Sequence, residues 1–284
     1  MYPELFKIAV PEFLQFLLPA YLTVHTYGFC ISLGIIAAYL YTAYQAKKQL
    51  NVPREVITNL LVVLVIAAVI GGKFFFFLER PGFYFNNFDV FLKTFSSGFV
   101  FYGSLLFAIP AMIWFFRYQN LPVAQMIDIM AITAAIVQAF GRMGCFFAGC
   151  CHGLPTESLF GVTFSDPHCS ADPLYTPLHP TQLYEVFMLV SIALILSFYK
   201  RYKKFQGELF IIYLVLYAVG RSIIEVFRGD EARGFVMNGL LSHSQFIALL
   251  VFLASVVIYF FMYKNEKKKK KSIINGQNNE TSND

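Results

Sequence analysis

The chain carries the segment ITNLLVVLVIAAVIGGKFFFFLE over residues 57–79, in which Lys73 is the only charge before the closing Glu79. A helix needs roughly 20 apolar residues to cross the hydrocarbon core of a bilayer, and this stretch supplies them without interruption. Working outward, comparable stretches occupy 24–44, 98–116, 122–141, 182–199, 207–226 and 244–263. The joints carry helix-breaking residues: Pro53, Arg80-Pro81-Gly82, Asn120-Leu121-Pro122 and His179-Pro180. Pro110 falls inside the third stretch, which membrane helices tolerate when neighbours satisfy the freed carbonyl. The expectation is an all-α integral membrane protein with seven transmembrane helices.

Composition gives the same answer. Of 284 residues, 57% are hydrophobic and only 14% charged, against about 25% charged in soluble domains. The mean hydropathy is +0.59. So few charges cannot cover that much apolar surface in water, and disorder, collagen, coiled coils and small disulfide scaffolds are excluded with the soluble globule. The net charge of +5 sits largely in the run Lys267 to Lys271. A lysine run following an apolar helix suits anionic lipid at the inner leaflet, and nothing else resembles a nucleic-acid-reading module.

Basic residues set the predicted orientation. Lys47, Lys48, Arg54, Arg117, Lys200, Arg201, Lys203, Lys204, Lys264 and the five-lysine run fall after spans one, three, five and seven. The alternate loops hold Arg80, Lys93, Arg142, Arg228 and Arg233. The amino terminus is therefore expected outside and the carboxyl terminus in the cytoplasm. A cleavable signal peptide is not expected, because Met1 to Lys7 includes Glu4 and no small-residue cleavage site follows. Residues 1–23, with Phe13, Phe16, Leu17 and Leu18, read as an amphipathic interfacial segment. Residues 1–263 read as one membrane domain, 142–181 as an outer loop, and 264–284 as a basic, disordered cytoplasmic tail.

Ionisable residues at membrane depth are costly and mark functional interiors. Four groups stand out. They are Arg142 at the end of the fourth span; His179, Gln182, Tyr184 and Glu185 opening the fifth; Arg221, Glu225 and Arg228 on one face of the sixth; and His25 with Tyr27 starting the first. All fall toward the predicted outer side. Converging arginines there suit an anionic group such as a lipid phosphate. The structural alternative is that Arg142 and Arg228 reach to headgroups while Glu225 pairs with Arg221 for packing.

These residues form ordered motifs: His25-x-Tyr27-Gly28, Gly71-Gly72-Lys73, Gly98-Phe99-Val100-Phe101-Tyr102-Gly103, Gly141-Arg142-x-Gly144, His179-Pro180-Thr181-Gln182-Leu183-Tyr184-Glu185 and Arg221-x3-Glu225-x2-Arg228-x-Asp230. Over about residues 20–263 the chain resembles the prolipoprotein diacylglyceryl transferase family. The resemblance implies a multi-pass enzyme of the bacterial cytoplasmic (inner) membrane without cofactor. Such an enzyme moves the diacylglyceryl unit of phosphatidylglycerol onto the lipobox cysteine of a prolipoprotein, forming a thioether. It implies Arg142 and Arg221 as catalytic phosphate-binding groups, with Glu225 and Arg228 orienting them. His179, Gln182, Tyr184, Glu185, His25 and Tyr27 are expected to contact substrate. The partners implied are phosphatidylglycerol, prolipoprotein signal peptides and membrane lipids, with no nucleic acid. Other readings are a phospholipid-dependent transferase with a different acceptor and a non-catalytic lipid- or metal-binding protein. Transport is a weaker option, without internal repeats.

The chain departs from the family pattern in three places. Tyr102 stands where the family has a candidate histidine base, and a phenol titrating near 10 is a weak base, so a phosphate contact or structural hydroxyl is the milder reading. Cys145, Ala148 and Cys150 replace polar family residues, and Lys73 replaces an arginine. The base is read as Tyr102 or His152, although the substrate thiol could also ionise in the arginines' field. Cys145, Cys150, Cys151 and His152, with His168 and Cys169, lack paired C-x2-C spacing, so no metal site is read from them. A disulfide from Cys169 to Cys150 or Cys151 suits an oxidising outer face; packed thiols are the other reading.

Overall fold

A computed structural model describes residues 3–9, 11, 21–86, 90, 99–228, 235–236 and 241–280. Its helices are α1 (Thr26–Leu50), α2 (Arg54–Glu79), α3 (Pro81–Asn86), α4 (Phe101–Tyr118), α5 (Val123–Ala148), α6 (Thr181–Tyr199), α7 (Glu208–Glu225) and α8 (His243–Glu280). Three short antiparallel pairs accompany them: β1 (Glu4–Ala9) with β2 (Tyr21–His25), β3 (Val162–Thr163) with β4 (Pro177–Leu178), and β5 (Phe235–Val236) with β6 (Leu241–Ser242). Six helices, α1, α2, α4, α5, α6 and α8, are long and apolar enough to cross a membrane. The expected span at 207–226 is α7, whose 18 residues carry Glu208, Arg221 and Glu225, all buried. The protein is thus a multi-pass, helical membrane protein.

Several boundaries differ from expectation. Helix α5 runs seven residues past the predicted end at 141, so Arg142 and Cys145 are helical. Helix α8 continues through the lysine run to Glu280, where the sequence predicts a disordered tail. Lysine has good helix propensity, and extending an existing helix needs no new nucleus. The strand β1 and most of β2 fall within the expected interfacial segment 1–23; Phe13, Phe16, Leu17 and Leu18 lie outside the described residues, as do Lys93, Gly98, Asp230 and Arg233.

Residues 1–263 read as one domain in sequence, but the chain divides into two compact units, Met1–Ala38 with Asp128–Asp284, and Tyr39–Ile127. In the second unit, α2 and α4 cross where Gly71-Gly72 meets Gly103-Ser104. Val100 N–H donates to the Gly72 carbonyl at 3.2 Å, and Ser104 Oγ donates to the Ala68 carbonyl at 2.8 Å. A Cβ on Gly103 would lie 2.7 Å from Phe75 Cβ, and one on Gly71 equally close to Phe107 Cβ. Small residues let membrane helices approach so closely. These glycines, part of the sequence motifs, are packing devices.

In the first unit, α1 meets α5 at Gly34 and Gly144. A Cβ on Gly34 would lie 2.7 Å from Phe140 Cβ, and one on Gly144 3.1 Å from Tyr27 Cδ2. At the opposite end of α5, buried Asp128 accepts from the backbone N–H groups of Gly207 and Leu209, each at 3.0 Å, and from Lys203 Nζ at 3.1 Å. A carboxylate there satisfies the amides that begin α7 and complements its dipole. With one end of α7 so fixed, the register of Arg221 and Glu225 at the other end is set.

The α2–α4 crossing yields a prediction. Gly103→Val should destabilise the protein by about 1–3 kcal/mol, the usual penalty of overpacking. Gly82→Ala, where an added Cβ meets nothing within 4 Å, should leave stability unchanged. Thermal unfolding in detergent or nanodiscs compares the two, and equal melting temperatures would contradict the crossing.

Candidate active site

The site grows from the first turn of α6. Pro180 precedes the helix, a favourable position for a residue without an N–H, and the turn that follows presents Thr181, Gln182 and Glu185, all at most 1% exposed. A lone buried carboxylate would be prohibitively costly; this one is surrounded by guanidinium groups. Arg142 Nε lies 2.6 Å from Glu185 Oε2, and Arg221 and Arg228 each place an NH1 3.2 Å from Glu185 Oε1. Arg221 also pairs with Glu225 at 2.6 Å, one turn along α7, and Ser242 Oγ donates to the other Glu225 oxygen at 3.1 Å. Three guanidiniums facing two carboxylates leave one positive charge.

The three arginines are not equivalent. Their side chains are 26%, 10% and 1% exposed for Arg142, Arg221 and Arg228. An anionic ligand can therefore reach Arg142 most readily, whereas Arg228 is interior. The i,i+4 pairing of Arg221 with Glu225, which the sequence left open between packing and orienting the arginines, and the gathering of arginines are two parts of one network. Ser242 had no signal in the sequence: it comes from β6, immediately before α8.

A second layer sits beside the first. Helix α5 ends with Gly149 N–H bonded to Phe146 O at 3.2 Å and Cys150 N–H to Cys145 O at 3.1 Å. Gly149 adopts φ +74, the left-handed conformation that closes a helix in this way and brings the residue after it back against the last turn. Cys151 follows at φ 64. The sulfurs of Cys145, Cys150 and Cys151 consequently lie within 4.8 Å of one another. The motif at the start of α6 holds this loop: Thr181 Oγ1 donates to the Cys151 carbonyl and Gln182 Nε2 to the Cys150 carbonyl, both at 2.7 Å. Hydrogen bonds from the Cys145 and Cys150 thiols, then the charge of Arg228, hold the Cys151 thiol below its ordinary range.

The remaining predicted residues are distributed unevenly. Tyr27 lies against Gly144 of α5, but His25, at the end of β2, pairs in the ladder with Glu4 and is exposed. His179 Nδ1 is 3.2 Å from the Tyr184 hydroxyl, and both rings pack edge-on against Phe227. His152 is engaged at both ring nitrogens: Nδ1 lies 3.0 Å from Gly153 O, and Nε2 accepts from the Asp172 N–H at 3.3 Å. Its ring braces the loop. Tyr102 belongs to the second unit, exposed in the first turn of α4. All five cysteines are free thiols, so of the two readings the Cys169 disulfide is not formed. Instead, Cys169 is buried with Phe164, Ala171 and Leu178, an apolar cluster that takes up its side chain.

Glu185→Gln tests the hub. Removing the charge leaves buried guanidiniums facing one another, and stability should fall by about 3–5 kcal/mol, as when one member of a buried ion pair is deleted. Thermal unfolding measures it; a loss below 1 kcal/mol, on the scale of a solvent-exposed pair, would mean that water or another anion already screens these charges.

Comparison with known proteins agrees with the motifs. Residues 15–261 match the family described as Prolipoprotein diacylglyceryl transferase. The chain is 34% identical over 235 residues to the phosphatidylglycerol--prolipoprotein diacylglyceryl transferase of Clostridium tetani, covering 83% of this chain and 92% of that one. It is 31% identical to phosphatidylglycerol--prolipoprotein diacylglyceryl transferase 2 of Clostridium perfringens, covering 83% and 90%. A Listeria monocytogenes relative of the same name is 29% identical, covering 83% and 84%. The chain belongs to the prolipoprotein diacylglyceryl transferase family.

Proposed function

We propose that this protein transfers the diacylglyceryl group of phosphatidylglycerol to the lipobox cysteine thiol of prolipoproteins, the step that begins lipoprotein maturation. Family membership supports the reaction, and the observation that carries it is the arginine cluster around Glu185 with its one uncompensated positive charge. In the reaction the cysteine sulfur forms a bond to a glycerol carbon while that carbon's bond to the phosphate oxygen breaks. The electron pair leaves with glycerol phosphate, and the thiol proton must be removed. The leaving group gains negative charge as the bond lengthens, so fixed cations stabilise the transition state more than the ground state.

In this reading Arg142, the most exposed of the three, takes the phosphate, with Arg221 behind it. Glu225 and Arg228 hold Arg221 and Glu185 in place, and Gln182, Tyr184, His179, His25 and Tyr27 border the substrate path. Tyr102 and His152 are the candidates for the thiol's proton, and His152 would have to release a loop hydrogen bond to act. The membrane is the bacterial cytoplasmic membrane, α7 is the sixth of seven spans, and the amino terminus faces outside. Lys47 and Lys48 at the end of α1, Arg117 at the end of α4, and Lys200, Arg201, Lys203 and Lys204 after α6 support that orientation.

A proteoliposome assay with phosphatidylglycerol and a lipobox peptide tests the reaction, with mass spectrometry detecting the diacylglyceryl thioether. Arg142→Ala should lower turnover by about 10²–10³-fold, the range for losing one oxyanion-stabilising group. Tyr102→Phe should lower it by about 10²-fold, the lower range for an acid–base group, and full activity would remove the phenol from the reaction. No thioether from folded, lipid-binding protein would overturn the prolipoprotein acceptor. Orientation has its own test: alkaline phosphatase fused after Ser158 should be active, and fused after Lys203 inactive.

A further inference from the structure

The arginine site makes no use of the three thiols that close α5. We propose that Cys145, Cys150 and Cys151 form a site for one thiophilic divalent metal ion of the zinc class, held by three thiolates. The inference is independent of the transferase reading.

Geometry supports it first. All three sulfurs lie within 4.8 Å of one another. Zinc–sulfur bonds of about 2.3 Å in tetrahedral directions place sulfurs about 3.8 Å apart, so closure around an ion needs movements of about an ångström. The backbone already provides the arrangement. The left-handed Gly149 folds Cys150 back over Cys145, Cys151 turns at positive φ, and Gln182 and Thr181 fix the carbonyls of both loop cysteines. The positive charge of Arg228 favours the thiolate of Cys151, the kind of outer influence that tunes a metal ligand.

Charge and ligand type select the ion. Three sulfur donors with no oxygen favour soft or borderline metals over magnesium and calcium. A divalent ion on three thiolates leaves one net negative charge. A monovalent ion would leave two. Three protein ligands also leave the fourth tetrahedral position open, unlike the four-ligand sites that only brace a fold. The ion binds thiolates rather than thiols, so binding is coupled to loss of the thiol protons.

The full chain, purified anaerobically with reductant and stripped of metal, should be titrated with Zn2+ against a chromogenic chelator and with Cd2+ followed by its sulfur-to-metal absorption. One ion per chain is expected. Cys150→Ser and Cys145→Ser should each weaken binding by more than about 100-fold, beyond the loss of an outer contact. Cys30→Ser and Cys169→Ser should leave it unchanged. A second readout needs no variant: in the wild-type protein, bound Zn2+ should protect Cys145, Cys150 and Cys151 from maleimide, read peptide by peptide, without protecting Cys30 or Cys169. Binding that survives in the serine variants, absence of protection, or a disulfide among the three cysteines in the reduced preparation would each overturn the site.

Discussion

Burying the Glu185 carboxylate among three guanidiniums is the constraint around which the first unit is arranged. Neither sign of charge could be held there alone, since an uncompensated ion inside a protein costs several kcal/mol. The carboxylate permits the arginines of α5, α7 and the segment after α7 to converge, and they permit it. One side of the cluster, Arg142, keeps contact with the surroundings, while Arg228 is sealed. A cluster with one residual positive charge is prepared for an anion before the anion arrives, which is what stabilising a departing phosphate requires.

The segment His179 to Glu185 joins this cluster to the thiol loop. Its first helical turn uses Thr181 and Gln182 to hold the cysteine carbonyls and Glu185 to hold the arginines. His179 adds a backbone contact, accepting from the Gly153 N–H at 2.8 Å. Gly153 has no room for a side chain, because a Cβ would meet the Phe227 carbonyl oxygen and the His179 and Thr181 side chains. The loop after α5 is therefore as closely specified as the helices, despite its irregular backbone, and its apolar cluster of Phe164, Cys169, Ala171 and Leu178 is its own small core.

The apolar stretches, their punctuation and the costly charges were legible in the chain because each is a local property: length against bilayer thickness, and charge against hydrocarbon. Arg142, Glu185, Arg221, Glu225 and Arg228 stood out for the same reason, since buried ions must be compensated wherever they sit. Their partnership was only half legible. The spacing of Arg221 and Glu225 on one helix face predicts their contact, but nothing local says that Glu185 is shared by arginines from three segments, or that Ser242 completes Glu225.

The cysteines mark the other side of that line. By sequence their spacing argued against a metal and allowed a Cys169 disulfide, because spacing rules assume that neighbouring ligands approach along an ordinary turn. The glycine-closed end of α5 brings Cys145 and Cys150 together across five residues, and packing against Phe164 takes Cys169 away. His152, read as one of two candidate bases, has both ring nitrogens against the loop backbone, a contact its sequence position did not reveal. The sequence by itself determined that this is a helical membrane protein with buried ions and family motifs, because hydrophobicity and charge act residue by residue. Only the tertiary structure decided which ions and thiols meet, because those contacts depend on close helix crossings and one left-handed turn.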